Sequence, residues 1–504
     1  MKKIILPTIS SLLMGFTVAV QVYTPMVQAQ VAVSQAQQKL QRIQALARAL
    51  TNHGLMYSLY LNPVIEAELQ GLANSNNLAA LDPRLAAIVA RMASDLSRGR
   101  VLPTAVADKA PIKAKAFAHQ ISATNYLNGS ISLEQFMAVV SPKNRIYIEA
   151  LAALKTVNDL KAQNKWSPKP VGLSLVTIKK GLVNAPVVSY ARAQLANFGY
   201  ANNISNTVVD AELDAVIKSF QTDNALVSDG IAGPNTWKAL DKSVDQLITQ
   251  GMLNLDRTRW LPDQNAAEYI YVNLALQTFQ YFQNETEAMS FRTINGRLDR
   301  QTPMLIDVAR EVVLNPTWTV PRTIFVKDKL SKLRETSGGY ALDLHARVYS
   351  DINGQEVDPY SIDWNQDPSR LPYTLVQSPG PWNALGRIKF PLTNDYAIYL
   401  HDTNERNLFI ESDRLRSSGC VRLQKPFDLG AKLLAGTNWT VDSLMAATEL
   451  APVQAEKPTS LSLKRNVPVY LAYKTLTKSG NKLISSNDPY AIDAAMYSVM
   501  FSGK

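Results

Sequence analysis

From about Glu268 onward the apolar residues of this chain change their period, and that change limits what its two halves can fold into. Upstream, AVSQAQQKLQRIQALARAL, DPRLAAIVARMASDL and SLEQFMAVV place apolar residues three and four positions apart between Asn, Pro and Gly breaks, the spacing of amphipathic helices. Downstream, YIYVNLAL, SFRTIN, RTIFV, YALDLHARVY and DYAIYL are short, rich in β-branched and aromatic residues, and bounded by Gly, Pro and Asn, which is strand chemistry. A chain of 504 residues is too long for one core, so three or so domains are expected. The expected class is α+β multidomain, helical first and β-rich second.

The composition, 46% apolar and 19% charged, is that of a globular chain. A formal charge of +10 favours a partner with negative charge: nucleic acid, anionic lipid or an anionic wall polymer. There is no basic run interleaved with aromatics, no zinc-spaced Cys/His set and no phosphate-cradling glycine loop, so nucleic acid is not taken as the partner. At the N-terminus, Lys2 and Lys3 precede an apolar stretch from Ile4 to Val22 that Pro7, Ser10, Ser11 and Gly15 interrupt. Val27-Gln28-Ala29 then offers small residues at a cleavable spacing, which predicts a signal peptide over 1–29, a mature start at Gln30 and a periplasmic location. An uncleaved anchor helix is the alternative.

Residues 30–182 read as a helical scaffold, in which His53 and His119 have no ligand-spaced neighbour. Residues 183–245 form a compact module, VVSYARAQLANFGY followed by DAELDAVIKSFQTDNALVSDGIAGPNTWKAL, with helices ending at Gly199 and at the Asp229-Gly230 turn. Leu195, Gly199-Tyr200, Val216, Phe220-Gln221, Leu226, Asp229-Gly230, Gly233-Pro234 and Thr236 give it a pattern that resembles the peptidoglycan-binding domain type 1, a small three-helix module. A β-rich domain is expected over 246–450. The insertion at about 322–373, carrying Tyr340, Tyr349, Tyr360 and Trp364 among acidic residues, is either a lid over a site or a decoration. Residues 451–504 read as a C-terminal tail with a hairpin about Ser479-Gly480.

Cys420, within ESDRLRSSGCVRL, is the only cysteine of the chain. An unpaired cysteine in an exported protein is either an inert buried thiol or a reactive one. Strand alternation puts Ile398 and Leu400 on one face of DYAIYLHDT and Ala397, Tyr399 and His401 on the other. In GCVRL it buries Val421 and Leu423 and turns Cys420 and Arg422 the opposite way. Nineteen positions separate His401 from Cys420, enough for one strand to end and the next to begin beside it. A nearby imidazolium lowers a thiol pKa from about 8.5, the thiolate attacks, and the imidazole returns the proton to a leaving amine. Gly419 allows close approach of a carbonyl, and the N–H of Cys420, with or without that of Gly419, is the expected oxyanion donor. Asp402 points away from its neighbour His401, so a backbone carbonyl is the better partner for the ring. His345 fits its strand's alternation only through a bulge and is read as non-catalytic.

His401 followed by Ser417-Ser418-Gly419-Cys420-Val421-Arg422 resembles the L,D-transpeptidase family (YkuD-type catalytic domain), which carries an upstream His and a Ser/Thr-x-Gly-Cys-x-Arg signature. With QSPGPWNALGRIKF, NLDRTRWLP, RQTP and NPTWTVP it is similar to the large periplasmic YcbB-like branch, over about Trp166 to Leu434. Ser418 stands where many small members have a second histidine, which leaves His401 as the base. The resemblance implies a β-sandwich-like catalytic domain with an inserted capping subdomain. It implies Cys420 as nucleophile and His401 as general base and acid, without metal or organic cofactor. The reaction implied attacks the amide after meso-diaminopimelate in a tetrapeptide stem, expels D-Ala and passes the acyl group to a diaminopimelate amine of a second stem. Arg422 pairs either with a stem carboxylate or in a structural salt bridge, Tyr399 bonds substrate or walls the cleft, and Ser417 and Ser418 line it. Peptidoglycan is the implied partner, carbapenem-type β-lactams the implied covalent inhibitors, and other cell-wall enzymes further partners. An L,D-carboxypeptidase, a cysteine peptidase cutting stems, and a catalytically silent wall-binding scaffold remain the alternatives.

Overall fold

The structure is a computed structural model that describes residues 34–106, 108–449 and 458–501. The stretch read as a signal peptide, residues 1–29, lies outside the described residues. The helices run α1 Gln35–Thr51, α2 Pro63–Asn74, α3 Leu78–Arg98, α4 Gln120–Leu127, α5 Leu133–Val140 and α6 Arg145–Ala162, then α7 Ala185–Asn197, α8 Ala211–Asp223, α9 Pro234–Leu240 and α10 Val244–Thr258. Most start where the sequence supplies a side-chain oxygen for the free N–H groups of the first turn: Ser34, Asn62, Asn77, Ser132, Asn144, Asp210 and Ser243 all accept such a bond.

α1 to α5 close on one apolar core built from Leu40, Ile43, Leu85, Val89 and Phe136. α7, α8 and α9 form the three-helix module around Val188, Leu195, Phe220 and Trp237. Its motif residues act inside the fold. Gln221 Nε2 donates to Asp229 Oδ1, Ile231 O and Thr236 Oγ1, and its Oε1 accepts from Gly230 N–H, so Gln221 staples the Asp229-Gly230 turn to the start of α9.

α10 is the spine of the molecule and is buried on nearly every side. Asp256 accepts from the N–H groups of Arg100 and Val101, both at 2.8 Å, which ties the helical scaffold to it. Arg257 donates to Tyr473 O at 2.9 Å and pairs with Asp493 at 2.5 Å, which ties the C-terminal segment to it. Burying these charges is offset by their mutual pairing and their backbone hydrogen bonds.

The β-rich domain and its attachments contain β1 Glu268–Asn273, β2 Thr278–Gln283, β3 Thr286–Gly296, β4 Leu305–Leu314, β5 Trp318–Thr319, β6 Ala346–Ser350, β7 Glu356–Val357, β8 Tyr373–Gln377, β9 Ile388–Phe390, β10 Leu400–His401, β11 Leu415–Ser417, β12 Val421–Leu423, β13 Thr459–Ala472, β14 Leu476–Ser479 and β15 Lys482–Ser485. Nine strands make one sheet in the order β11-β3-β12-β10-β9-β4-β13-β1-β2. β3 also pairs with β2, so the layers of the expected sandwich are joined and hydrogen bonding continues around the core. The capping insertion is a second sheet, β5-β8-β6-β7, with short helical turns and a separate core of Trp318, Phe325, Leu333, Val348, Trp364 and Leu375.

The segment read as a C-terminal tail is no tail. β13 lies between β1 and β4, parallel to the first and antiparallel to the second, with Val467, Val469 and Leu471 fully buried. Only a strand supplied from elsewhere in the chain satisfies the edges of β1 and β4, and local patterning does not say which one. The hairpin β14–β15 turns at Gly480-Asn481, and its Leu476 and Leu483 enter the core of the three-helix module. A chain ended at residue 450 is therefore expected to lose cooperative unfolding of the β-rich domain, which thermal denaturation followed by circular dichroism checks.

Candidate active site

β10 and β12 run parallel, with Leu400 beside Val421 and His401 beside Arg422. β9 flanks β10 on the other side and sets Lys389 beside His401. Leu400, Val421 and Leu423 are fully buried and Ile398 nearly so, while Tyr399, His401, Cys420 and Arg422 all line one cleft of about 590 Å³ between the nine-stranded sheet and the cap. From the cap, Trp318, Ile324, Asp328 and Lys329 complete the wall.

Two loops set the thiol in place. Asp307, on β4, accepts from Thr393 N–H and Oγ1 and from Asn394 N–H and Nδ2, at 2.6 to 3.1 Å. Burial alone would raise this carboxyl, but those bonds hold it below its usual range. Asn394 in turn accepts from the N–H groups of Tyr396 and Ile398. The loop thus pinned holds Ala397 at φ +55°, an uncommon region for a residue with a Cβ, and its carbonyl accepts from Cys420 Sγ at 3.3 Å. The second loop is the Ser417–Cys420 turn. Gly419 sits at φ +123°, its carbonyl accepts from Thr302 Oγ1 at 2.7 Å, and its N–H donates to Ser417 Oγ at 3.1 Å. Ser417 Oγ donates to Cys420 O at 2.6 Å.

These bonds alter three sequence readings. The Gly419 N–H is held by Ser417 and is not an oxyanion donor, which leaves the Cys420 N–H. Ser417 is buried and its hydroxyl is taken up within the turn, so it shapes the nucleophile loop instead of meeting substrate. Arg422 Nη1 lies 2.5 Å from Glu405 Oε2, the salt bridge that stood as one of its two readings. Ser418 is exposed and takes a hydrogen bond from Arg300 Nη1 at 3.2 Å. His345, at φ +51°, stacks on Trp382 with ring centroids 3.9 Å apart. Asp402 is turned from the imidazole: its carboxylate accepts from Arg387 N–H at 3.0 Å and from Arg406 at 2.5 Å.

The electrostatics differ most from the sequence reading. Burial, reinforced by the Arg422 and Lys389 charges, pushes His401 down to about 3 against backbone hydrogen bonding at Asp402 and Leu385, so the imidazole is neutral; it is 4% exposed. Burial pushes the Cys420 thiol up to about 11, against the Tyr399 N–H and hydroxyl and the charges of Lys389 and Arg422. A pre-formed thiolate–imidazolium pair is thus not the resting state, because Lys389 and Arg422 flank the ring and its surroundings are dry. Tyr399, whose own pKa is pushed up by burial and by Cys420, stands edge-on to His401 at 5.5 Å and under Lys389 Nζ at 4.0 Å.

Sequence reasoning missed Lys389, Arg297, Arg300 and Asp328. The stretches GRIKF and RQTP contained Lys389 and Arg300, but only the fold sets Lys389 beside His401 and Arg300 on the cleft wall.

The turn depends on one tight approach. A Cβ on Gly296, at the end of β3, would fall 2.2 Å from Arg300 O and 2.6 Å from Thr302 N, where only backbone movement makes room. Gly296 N–H also donates to Thr302 Oγ1, the group that holds Gly419. Gly296→Ala is expected to destabilise the protein by about 1–3 kcal/mol, seen as a lowered Tm, and to impair Cys420 reactivity at temperatures where the fold persists.

The site thus brings one thiol and one neutral imidazole onto a cleft wall of a β-rich domain roofed by a cap, groups that can together carry nucleophilic acyl chemistry. Residues 267–442 match the sequence profile described as "L,D-transpeptidase catalytic domain", residues 184–240 that of a "Putative peptidoglycan binding domain", and residues 28–154 that of a "Scaffold domain". The β-rich part of the chain is therefore similar to L,D-transpeptidase catalytic domains, and the three-helix module before it to peptidoglycan-binding domains. A Haemophilus influenzae protein described as "Putative L,D-transpeptidase" is 34% identical over 252 residues, 50% of each chain, so this chain spans about half the length of that curated relative. The crystal structure of an L,D-transpeptidase (Yku) from Stackebrandtia nassauensis is 12% identical, covering 59% of this chain and 97% of that one at a TM-score of 0.24, a value that carries no inference.

Proposed function

We propose that this protein crosslinks peptidoglycan by L,D-transpeptidation, joining the third residues of two stem peptides. The observation that carries the reading is the single thiol, Cys420, on the same cleft wall as His401 inside a domain similar to L,D-transpeptidase catalytic domains, with a module similar to peptidoglycan-binding domains upstream. Cys420 Sγ leaves Ala397 O and attacks the carbonyl of meso-diaminopimelate, while neutral His401 takes the thiol proton as the S–C bond forms. The C–N bond then breaks, His401 returns the proton to the departing D-Ala amine, and a thioester remains on Cys420. The side-chain amine of a second diaminopimelate attacks it, releasing the thiol. Cys420 N–H faces the developing oxyanion, and Tyr399 steadies the sulfur as it gains charge. In this reading the chain is exported and works in the periplasm at the cell wall, and a carbapenem acylates Cys420.

Incubating the purified protein with tetrapeptide muropeptides tests this by mass spectrometry: crosslinked dimers with loss of D-Ala are expected. D-Ala loss or stem cleavage without dimers would instead make the protein an L,D-carboxypeptidase or peptidase.

A further inference from the structure

Beside the nucleophile turn, the cleft holds a second set of convergent groups. Arg297 and Arg300 leave the loop that follows β3. Arg300 forks on one carboxylate, Nη1 at 2.5 Å from Asp328 Oδ2 and Nη2 at 2.7 Å from Asp328 Oδ1. Arg297 Nη2 adds a contact to Asp328 Oδ1 at 3.4 Å, and Arg300 Nη1 also reaches Ser418 Oγ. Asp299, 67% exposed, pairs with Arg297 Nε from the solvent side. Two planar guanidiniums around one carboxylate, one of them also bonded to the Ser418 hydroxyl, have the geometry of a carboxylate receptor. The Arg300 side chain is only 9% exposed, so the receptor is built into the wall.

Its occupant belongs to the cap. Asp328 lies in Phe325–Lys329, a π-helical turn, a rare winding frequently found at functional sites. The arginines hold its carboxyl below the usual range. The cleft wall as a whole carries five cationic side chains against two carboxylates, Asp328 and Glu405, so it favours an anionic ligand. Arg422, the residue first suited to a substrate carboxylate, is already engaged by Glu405.

We propose that Arg297, Arg300 and Ser418 form a subsite for a carboxylate of the stem peptide, and that Asp328 of the cap occupies it until a stem displaces it. The inference rests on the cleft being the acyl-donor site proposed above. Exchange of one carboxylate for another keeps the arginines paired and releases the cap from the nucleophile turn, so donor binding and cap movement become one event.

Calorimetry on the Cys420→Ala protein tests this without any turnover. The ligands are a tetrapeptide ending in diaminopimelyl-D-Ala and three forms of it, each with a different stem carboxyl converted to the amide. One amide is expected to bind on the order of tenfold more weakly than the parent, and Arg300→Ala, introduced as well, should erase that difference. Arg300→Lys, which keeps the charge but not the fork, should erase most of it. Asp328→Asn should tighten the parent peptide several-fold, because the cradle is then uncontested. Equal binding of all four peptides overturns the subsite, as does weakening by Asp328→Asn to match Arg300→Ala, which would leave only a cap latch. Binding of none of the four overturns the donor-site reading itself, and the subsite with it.

Discussion

Cys420→Ala is expected to abolish product from muropeptides, a loss on the order of 10⁴-fold or more, with the fold intact. The expectation is that large because no second thiol exists anywhere in the chain to substitute for it. The fold should survive because Cys420 lies on the cleft wall and its thiol makes only weak sulfur hydrogen bonds, with Ala397 O and with Tyr399. Removing it leaves the Ser417–Gly419–Thr302 bonds, which use backbone and hydroxyl groups, in place. The same variant should take no covalent carbapenem, whereas the native protein gains one adduct on the peptide containing Cys420, read by intact and peptide mass spectrometry. An adduct that persists in Cys420→Ala ends the nucleophile assignment.

The second expectation concerns pH. With the thiol raised to about 11, the thiolate fraction at pH 7 is about 1 in 10⁴, against about 3 in 100 for a free cysteine near 8.5. The sign follows from the group being acidic: raising pH removes the proton, so reactivity climbs with pH until the thiol has titrated. Alkylation of Cys420 by iodoacetamide should therefore rise about tenfold per pH unit from 7 to 10, about a thousandfold in all. It should show no plateau near neutrality. Since the imidazole is already neutral above about 3, His401→Gln should leave the shape of this profile unchanged while removing acyl transfer, where a proton acceptor is needed. A plateau between pH 6 and 8 that vanishes in His401→Gln would restore the ion-pair picture and overturn the neutral resting state.

The two results together separate nucleophile from base. On the proposed mechanism, acyl transfer starts from a neutral thiol and a neutral imidazole, and the cap over the cleft is the element placed to exclude water from them.

Much of this was legible in the residues. The helical and strand halves follow from period, a local property of the chain, and the α+β multidomain class with them, whereas RTIFV and the start of YALDLHARVY, read as strands, form helical turns of the cap. The side of each strand was legible too: Leu400, Val421 and Leu423 face the core while Tyr399, His401, Cys420 and Arg422 share the cleft, because successive Cβ atoms in a strand alternate whatever the neighbours are. The motif about Cys420 pointed to the family for the same reason, its chemistry being carried within a few consecutive residues.

What lay beyond reach depends on partners distant in the chain. β13 was taken for a tail because a strand's place in a sheet is set by which edges stay unpaired, and β1 and β4 lie some two hundred to one hundred and fifty residues earlier. Arg422 found Glu405, and Arg300 found Asp328 of the cap, through contacts that only closure of the fold creates. Protonation was decided at the same level. The residues alone were enough to place His401 and Cys420 on one cleft; packing added Arg297, Arg300 and Asp328 and set the charge of the thiol and the imidazole, because the energy of a charge depends on how much water and how many other charges surround it, and those are properties of the packed molecule.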